Sequence, residues 1–508
     1  MRALSAFSLA CLFVVVALFT VFTIVDRDIG FHLRTGELIW QSGTIPTTDP
    51  FSYVAQGRPW VDSHWLFQLL AHAAYSLGSF AGLVSLRALA VATLVTSLFA
   101  ACYKRGSLPL TLGLVLIGVV ASLERFILRP DLFTIMFLAI FVAGSERLHE
   151  RPRAWLVALP LLEILWTNTH GLAILGPIYL GLRFAGDLLD FGARRLGLRE
   201  FDASCTISTL RRRGAVALLC GLAVLANANG IAGILYPFQL FLQLRGEVSW
   251  FPGISELNSP LEWPIHFIFS PIAFYWLLVG LSALGLVANA RRLRFGDILP
   301  WAAFLFLSLE AVRNIPLFAV VTLPVLARAL RDLATRAPAR LHPKPGARAV
   351  ATALCLALLT LFVFTTVTNG SLYRTLGWRR TFGVGDSIGY PNAEVLSRLR
   401  AAPGRILNDP NWGGYLIWRL YPDKQVAVDG RWEIYGELLP GVRSAFANPR
   451  AFSRFARAHD VRTVVVERGS RGIARLTPRM MKKVPDFRLT LKTREALLYQ
   501  RSTATHVP

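Results

Sequence analysis

The chain has 508 residues, of which 54% are apolar and only 17% are charged, and its mean hydropathy is +0.47. This balance excludes an ordinary soluble domain and indicates a membrane protein with several spans. The net charge of +23 would suit a nucleic-acid binder, but the basic residues lie in short clusters between apolar runs and no recognition module is present. We therefore expect no nucleic-acid partner.

Apolar runs of about 15 to 25 residues predict about eleven transmembrane helices. The runs lie near residues 4–25, 79–101, 108–123, 131–146, 154–169, 171–189, 214–230, 265–289, 297–311, 314–330 and 349–368. The first run lacks a small-x-small cleavage site before Asp26, so we interpret it as a retained anchor rather than a signal peptide.

Clusters of lysine and arginine between these runs predict the orientation in the membrane. The clusters at 104–105, 147–153, 194–213, 291–294 and 328–348 all fall on one side if the N-terminus is cytoplasmic. This agrees with the positive-inside rule. We therefore expect a multi-pass protein of the inner (cytoplasmic) membrane whose C-terminal part is extracytoplasmic.

The predicted domains are a transmembrane domain at 1–368 and an extracytoplasmic α/β domain at 369–508. The first outer loop, 26–78, is expected to carry amphipathic helices. In the second domain, β-rich runs ("RILND", "QVAVDG", "RTVVVE", "ALLYQR") alternate with helix-like ones ("GGYLIWRL", "PRAFSRFARAH"). The five cysteines form no C-x-x-C pair, so no disulfide framework or thiolate metal site is expected.

The outer loop begins with polar residues at nearly helical spacing: Asp28, Phe31, Arg34 and Glu37 recur every third residue after the first span. A carboxylate held at a membrane surface can activate a hydroxyl or an amide, or hold a metal near a phosphate. The alternative is a solvated amphipathic helix lying on the lipid headgroups.

Further along the same loop lie Asp49, which precedes Pro50, then Asp62 and His64. Carboxylates and imidazoles on one loop could bind a divalent cation such as Mg or Mn. Their spacing is no metal signature, and an aspartate before a proline is also an ordinary turn residue.

Ionisable residues also occur beside the predicted spans, where their burial is costly and often functional. Glu310 and Arg313 share a helix face at a predicted outer turn, and Arg129 lies at another. Arg313 could hold a phosphate oxygen, while a structural pair between Glu310 and Arg313 is equally consistent with the spacing.

The outer domain contains two neighbouring motifs, "NWGGYLIW" and "VDGRWEIYG". Paired glycines permit close approach of backbones, and the surrounding aromatics, such as Trp412 and Tyr415, suit stacking on a sugar, packing on a peptide or packing in a core. The chain has no Gly-Lys dipeptide, H-E-x-x-H or G-x-S-x-G, so a P-loop, a zincin and a hydrolase elbow are excluded.

Several of these stretches together resemble glycosyltransferases of the GT-C class. The outer loop has an Asp-x-x-aromatic-x-x-Arg pattern that begins at Asp28, with Glu37 beyond it, a "GTIP" turn and Asp49, and it is similar to the first outer loop of oligosaccharyltransferase catalytic subunits. Over most of the chain, "RPDLF", "WTNTHG", "RNIPLFA" and "WGGYLIWRLYP" resemble bacterial multi-span membrane proteins. The expected fold class is thus an α-helical polytopic membrane protein, GT-C-like, with a C-terminal α/β domain.

The resemblance implies transfer of a sugar from a polyprenyl-phosphate-linked donor on the outer membrane face. It gives Asp28 the position of the catalytic carboxylate and Asp49 that of a second acidic residue that helps to hold a metal. The donor phosphate would contact Arg313 and Arg129, and Glu310 would lie near the acceptor.

The remaining site predictions concern the acceptor and the metal. His64 joins Asp49 and Glu310 as an acceptor or metal candidate. Candidates for the acceptor domain follow from its two motifs; they are Trp412, Tyr415, Asp429 and Arg431. The stretch from Trp412 to Tyr415 lacks the aspartate of the oligosaccharyltransferase acceptor motif, which argues against a protein sequon as acceptor.

The function predicted from the sequence is that of a membrane glycosyltransferase acting on a glycan, lipid or protein acceptor of the cell envelope. One alternative is a non-catalytic component of polysaccharide assembly that binds a lipid-linked glycan. A transporter is another alternative, although the ionisable residues cluster at one face of the membrane rather than at its midplane.

Overall fold

The computed structural model describes residues 2–197, 206–245, 255–265, 267, 269–336, 338, 344–387, 389–468 and 478–502. Parts of the predicted basic clusters, including Arg199 and residues 339–343, lie outside the described residues. The chain divides into two compact units. The helical unit comprises Met1–Ile24, Gly78–Gly230 and Ser255–Ser387, and the sheet unit comprises Val25–Leu77, Ile231–Ile254 and Ile388–Pro508.

In this division the first outer loop belongs to the same compact unit as the C-terminal region, whose last segment begins at Ile388. The boundaries of the transmembrane and extracytoplasmic domains stay a prediction.

The helices, in chain order, are α1 Arg2–Thr20, α2 Ile29–Ser42, α3 Trp65–Cys102, α4 Leu108–Ser122, α5 Pro130–Arg147, α6 Pro152–Thr169, α7 Leu175–Arg195, α8 Ile207–Ala223, α9 Gly230–Arg245, α10 Pro271–Ala288, α11 Phe295–Glu310, α12 Ile315–Arg336, α13 Pro345–Thr368, α14 Ser371–Thr375, α15 Ala393–Ala401, α16 Pro410–Leu420, α17 Trp432–Tyr435, α18 Leu439–Ala447, α19 Pro449–Ala458 and α20 Pro478–Met481.

Each of the predicted apolar runs coincides with a helix. Among the described residues, six helical stretches are long and apolar enough to cross a membrane. They are Arg2–Thr20, Trp65–Cys102, Leu108–Arg125, Gly171–Arg195, Pro271–Ala288 and Pro345–Thr368. The chain is therefore a multi-pass membrane protein. The number of spans and their orientation stay predictions, and α9 lies in what the sequence predicted to be an outer connection.

Local chemistry explains where several helices begin or break. Prolines occupy the first turn of α4, α5, α6, α10 and α13, where no intrahelical N–H is needed. The Ser270 side chain accepts from the Ala273 amide and caps α10. Non-helical backbone at Gly78 and Ser79 divides α3, so residues 65–77 form a separate helical segment before the apolar part.

Buried ion pairs connect four helices of the helical unit. Arg183 on α7 pairs with Asp297 on α11 and with Glu146 on α5, the latter at 3.3 Å. Arg328 on α12 pairs with Glu146 and, at 2.5 Å, with Asp297. Because each charge has an opposite partner, the network ties α5, α7, α11 and α12 together at one end.

The sheet unit contains four strands: β1 Arg405–Asn408, β2 Val461–Glu467, β3 Phe487–Lys492 and β4 Ala496–Arg501. Their order is β1-β2-β4-β3, with β1 parallel to β2 and the other neighbours antiparallel. The predicted strands in "RILND", "RTVVVE" and "ALLYQR" are confirmed, as are the helices α16 and α19. "QVAVDG" contains no strand, and β3 was not predicted.

Backbone hydrogen bonds join the first loop to the segment that precedes Asp429. The Tyr53 amide donates to the Val426 carbonyl at 3.1 Å, and the Val426 amide donates to the Phe51 carbonyl at 3.0 Å. The Ser52 hydroxyl donates to the Ala427 carbonyl at 2.8 Å. The loop is thus a structural part of the sheet unit.

Candidate functional site

Asp28 precedes the first residue of α2 in the sheet unit and is half-buried. Its side chain makes no capping bond to the helix. Instead, its carboxyl group lies against Gly430: a Cβ built on that glycine would be 2.8 Å from the Asp28 Cγ and 3.2 Å from its Oδ2. The absence of a side chain at residue 430 therefore makes room for the Asp28 carboxylate.

Glycines allow α2, α16 and the segment around Asp429 to approach one another closely. A Cβ on Gly30 of α2 would lie 2.8 Å from the Gly414 carbonyl carbon, and one on Gly413 would lie 2.5 Å from the Asp429 Cα. The prediction that the paired glycines permit close backbone approach is confirmed. This packing fixes the start of α2, where Asp28 is located.

Arg431 is buried between two carboxylates that come from different parts of the sequence. Its Nη2 lies 2.8 Å from Asp49 Oδ1 and 2.7 Å from Asp429 Oδ2, and its Nε donates to Asp429 Oδ1 at 2.8 Å. The Tyr435 hydroxyl also donates to Asp429 Oδ2, at 2.7 Å. We call Asp49, Asp429 and Arg431 the arginine clamp, and it fixes the backbone on both sides of Gly430.

Aromatic rings enclose the guanidinium of the clamp. The Arg431 Cζ lies 4.6 Å from the centre of the Trp60 ring, 5.0 Å from that of Phe51 and 5.6 Å from that of Phe31. Cation–π attraction and exclusion of water both strengthen the ion pairs.

The pKa values of the two carboxylates of the clamp are shifted in opposite directions. Burial raises the pKa of Asp49 above its ordinary value, although the charge of Arg431 opposes this. Burial acts in the same direction on Asp429, but the charge of Arg431 and the hydrogen bonds from Arg431 and Tyr435 outweigh it and lower the pKa. The clamp thus depends on Arg431 to keep Asp429 ionised.

Asp49 has further contacts that determine what it can do. Its Oδ1 accepts from the Phe51 amide at 3.2 Å, and its Oδ2 accepts from the Ser52 amide at 3.0 Å. Together with the ion pair to Arg431, these bonds engage both oxygens. Among the residues that the structure describes, no three His, Cys, Asp or Glu side chains form a group that could hold a metal ion. The described residues therefore offer no set of three such ligands around Asp49.

Two further carboxyl groups of the sheet unit have raised pKa values. Asp62 is buried and accepts from the His64 amide and from the Gln68 side chain, both at 3.1 Å. Burial raises its pKa to about 7. Burial likewise raises the pKa of Glu433 to about 7.

The imidazole of His64, predicted as an acceptor or metal candidate, lies beside a second histidine. The ring centres of His64 and His32 are 6.0 Å apart, and His32 also contacts the ring of Phe67 edge to face.

The aromatic acceptor candidates lie in or near the core. Trp412 is fully buried. Tyr415 is 9% exposed, stacks on Tyr390 with ring centres 3.7 Å apart and contacts the ring of Trp418. The structure thus places the rings of Trp412 and Tyr415 in packing contacts of the sheet unit.

The helical unit has its own charged cluster. Arg125 pairs with Asp131 and with Glu256, and Arg129 lies 3.5 Å from the same Glu256 carboxylate. The charges of Arg125 and Arg129 overcome the effect of burial and lower the pKa of Glu256. Arg313 lies close enough to the other charged residues of the cluster, Arg125, Arg129, Asp131 and Glu256, to interact with them electrostatically. Glu124 also interacts with Arg125, so the three arginines lie among three carboxylates, those of Glu124, Asp131 and Glu256.

A cavity of about 150 Å³ opens beside this cluster, within the helical unit. Glu124 and Arg125 contribute its charged groups, while its walls include Trp263, Phe267 and Trp378. Val312, which precedes Arg313, also lines it. A mainly apolar cavity with an arginine at its edge suits a ligand that combines a hydrocarbon with an anionic group.

Glu310 is the last residue of α11 and is half-buried. Glu310 precedes Arg313 by three residues, and both belong to the helical unit.

Comparison with solved structures decides the fold. The chain is similar to the archaeal oligosaccharyltransferase AglB from Archaeoglobus fulgidus, whose structure was solved in complex with an inhibitory peptide and a dolichol-phosphate. The TM-score is 0.58 and the sequence identity is 12%, and the match covers 91% of this chain and 69% of AglB. It is also similar to ArnT from Cupriavidus metallidurans bound to undecaprenyl phosphate, with a TM-score of 0.51 and 13% identity over 99% of this chain and 98% of that one.

The chain has the GT-C fold. The apo form of the same ArnT gives a TM-score of 0.52 at 13% identity, over 97% of both chains. No protein-family model and no curated protein sequence matches the chain.

Two features of this GT-C chain had no assigned role in the sequence prediction. Gly430 was visible only as the middle of "DGR", a common turn sequence, and its contact with Asp28 joins residues some 400 positions apart in the chain. The other is Arg125, whose partner Glu256 lies in a connection with no periodic pattern.

Proposed function

We propose that this chain is a membrane glycosyltransferase that transfers a sugar from a polyprenyl-phosphate-linked donor to an acceptor of the cell envelope, on the outer face of the membrane. The single observation that carries the proposal is the GT-C fold combined with a carboxylate, Asp28, that is held against Gly430 beside a buried arginine clamp. The acceptor is a glycan, a lipid or a protein.

Donor binding is assigned to the helical unit. Its cavity offers apolar walls for prenyl groups, and Arg125, Arg129 and Arg313 supply guanidinium groups that can bind a phosphate. The solved structures of AglB and ArnT hold a dolichol-phosphate and undecaprenyl phosphate, respectively, which supports a lipid phosphate as the ligand.

Asp28 acts as the general base. It removes the proton from the acceptor hydroxyl or amide, whose oxygen or nitrogen then forms a bond to C1 of the sugar. The bond between C1 and the phosphate oxygen breaks, and the electron pair leaves with the polyprenyl phosphate. Attack from the face opposite the phosphate inverts the configuration at C1.

The arginine clamp positions Asp28 without contacting the reacting atoms. Because Arg431 holds Asp49 and Asp429, the backbone of Gly430 is fixed, and the Asp28 carboxylate that rests on it is restricted to a narrow range of orientations. Asp49 is therefore proposed as a positioning residue.

Two experiments test the proposal. The first compares envelope glycolipids, polysaccharides and glycoproteins from cells with and without the gene, and we expect one glycosylated product to be lost. Unchanged profiles in all three fractions would refute a transferase function.

The second experiment measures undecaprenyl phosphate binding to the purified full chain by native mass spectrometry. Arg129→Gln and Arg313→Gln should each weaken binding about tenfold or more, as expected for lost charge-assisted hydrogen bonds. Arg374→Gln is the matched control, because Arg374 is an exposed arginine of the same unit that donates to the Asn369 carbonyl. Equal binding by all variants would contradict the assigned donor site.

A further inference from the structure

A second cationic cavity lies at the end of the helical unit where α10 and α12 terminate. It has a volume of about 490 Å³ and is lined by Val287, Ala288, Asn289, Ala290, Arg292 and Arg336. None of these residues belongs to the proposed donor site.

The cavity is built on a buried asparagine. Asn289, 5% exposed, donates through its side-chain amide to the Gly285 carbonyl at 2.9 Å and to the Ala329 carbonyl at 3.1 Å, which joins α10 to α12. Its Oδ1 accepts from Arg336 Nη2 at 2.7 Å, and the Ala288 carbonyl accepts from Arg336 Nη1 at 3.3 Å. The Arg336 guanidinium is therefore oriented before any ligand binds.

The charges of this cavity are not compensated by carboxylates. Within the part of the chain that the structure describes, neither Arg292 nor Arg336 has an ion-pair partner, and the bonds of Arg336 go to neutral oxygens. By contrast, Arg183 and Arg328, also in the helical unit, are each paired with two carboxylates. Two arginines that line one cavity without acidic partners are suited to an anion such as a phosphate.

Apolar side chains continue from the cavity along the outside of α10. Val287 is 72% exposed and Leu284, one turn earlier, is 67% exposed. In a membrane-spanning helix these side chains face hydrocarbon, so a ligand whose phosphate contacts the arginines would place its attached chains along them.

We propose that this cavity binds the headgroup of an anionic phospholipid, with the phosphate between Arg292 and Arg336 and the acyl chains along Val287 and Leu284. The shared chemistry is that of a phosphate anion, and the hydrocarbon surface beside it favours a lipid over free phosphate. The site is independent of the proposed transferase function.

The test measures lipid binding to the purified full chain by native mass spectrometry, with palmitoyl-oleoyl phosphatidylglycerol as the anionic probe and palmitoyl-oleoyl phosphatidylcholine as the neutral one. We expect the anionic lipid to bind more tightly. The double variant Arg292→Gln/Arg336→Gln should lose about 30-fold in affinity for it, about fivefold for each arginine near a phosphate surface.

The matched control is Arg211→Gln/Arg212→Gln, which removes the same charge from two exposed arginines of α8 that do not line the cavity. It should bind within about twofold of the unmodified chain. Equal losses in both double variants, or no loss in either, would overturn the proposal, because binding would then follow net charge or other surfaces.

Two further arms complete the design. Ala290→Trp fills the cavity without a change of charge and should also lose the preference for the anionic lipid; retention of full affinity in this variant would contradict the site. Inorganic phosphate is the competitor: displacement of the lipid by millimolar phosphate would show a site for free anions and would overturn the lipid assignment.

Discussion

Replacement of Arg431 by methionine tests the arginine clamp most severely. Arg431 is 2% exposed and holds Asp49 and Asp429 at 2.8 and 2.7 Å. Methionine retains much of the apolar volume between the rings but leaves two buried carboxylates without a cation. Removal of one partner from a buried ion pair costs about 3 to 5 kcal/mol. For a unit of this size, that loss lowers the Tm by about 6 to 20 °C.

The pH dependence of the loss can be worked out from the same contacts. In the unmodified chain Arg431 lowers the pKa of Asp429, so this group stabilises the fold above its ordinary pKa. Without the cation, burial raises the pKa of both carboxyl groups in the folded state. Their destabilising effect is then largest at neutral and higher pH, and it vanishes below about pH 4, where both groups are protonated in the folded and unfolded chains.

The assay is thermal unfolding of the detergent-solubilised full chain, followed by tryptophan fluorescence from pH 4 to pH 8. Arg405→Met is the control, since Arg405 is an exposed arginine of the same unit that lies over the Tyr53 ring and, among the residues that the structure describes, has no carboxylate partner. A Tm for Arg431→Met within 1 or 2 °C of the unmodified protein at pH 7.5 would refute the reasoning.

Three other substitutions test separate parts of the site. Gly430→Ala places a methyl group against the Asp28 carboxyl group, so the glycosylated product should fall at least tenfold while Tm changes by only a few degrees; product at the unmodified level would contradict the contact. Gly30→Ala meets the backbone of α16 and should cost about 1 to 3 kcal/mol in unfolding free energy, whereas Gly346→Ala, with open space around it, should cost less than about 0.5; equal effects would be inconsistent with the close crossing. Burial raises the pKa of Asp62 to about 7, so its stabilising contribution is complete below about pH 4 and is lost as pH rises through 7. Asp62→Asn should therefore gain Tm relative to the unmodified chain between pH 5 and pH 8, and parallel Tm curves would disprove the raised pKa.

The helices of the membrane region were predictable because their cause is local. A run of apolar residues bounded by arginines fixes both the helix and its place between polar surfaces. The missed helix α9 shows the limit, since its 16 residues contain Pro237 and form a run shorter than an ordinary span.

The sheet unit shows why domain boundaries were harder to predict. Nothing in the sequence near Phe51 indicates that its carbonyl accepts from the amide of Val426. The strand β3 was missed because its residues 488–490 are exposed and alternate weakly in polarity, so it follows from pairing with β4 rather than from its own pattern.

The sequence identified residue types that belong to the site, but it did not predict which of these residues contact one another. Asp28 was singled out from its place after the first span, and Arg431 from its motif, yet the sequence gives no sign that Gly430 brings the two regions together. The metal role predicted for Asp49 rested on its residue type and on resemblance, whereas its observed bonds to Arg431 and to two backbone amides became apparent only in the structure. Contacts between residues that are distant in the sequence are set by tertiary packing, and the local periodicity of a single sequence does not predict them.

The central claim is that Asp28 is the catalytic carboxylate of a membrane glycosyltransferase, and the most direct measurement is product formation by Asp28→Asn. Cells that lack the gene are complemented with the unmodified gene, with Asp28→Asn or with Glu37→Gln, a carboxylate of α2 that pairs with Arg34, and the glycosylated product is quantified at equal protein levels. We expect Asp28→Asn to lower the product about 100-fold or more, as for loss of a general base, and Glu37→Gln to restore it. Full product with Asp28→Asn would contradict the claim and leave a non-catalytic role in glycan binding.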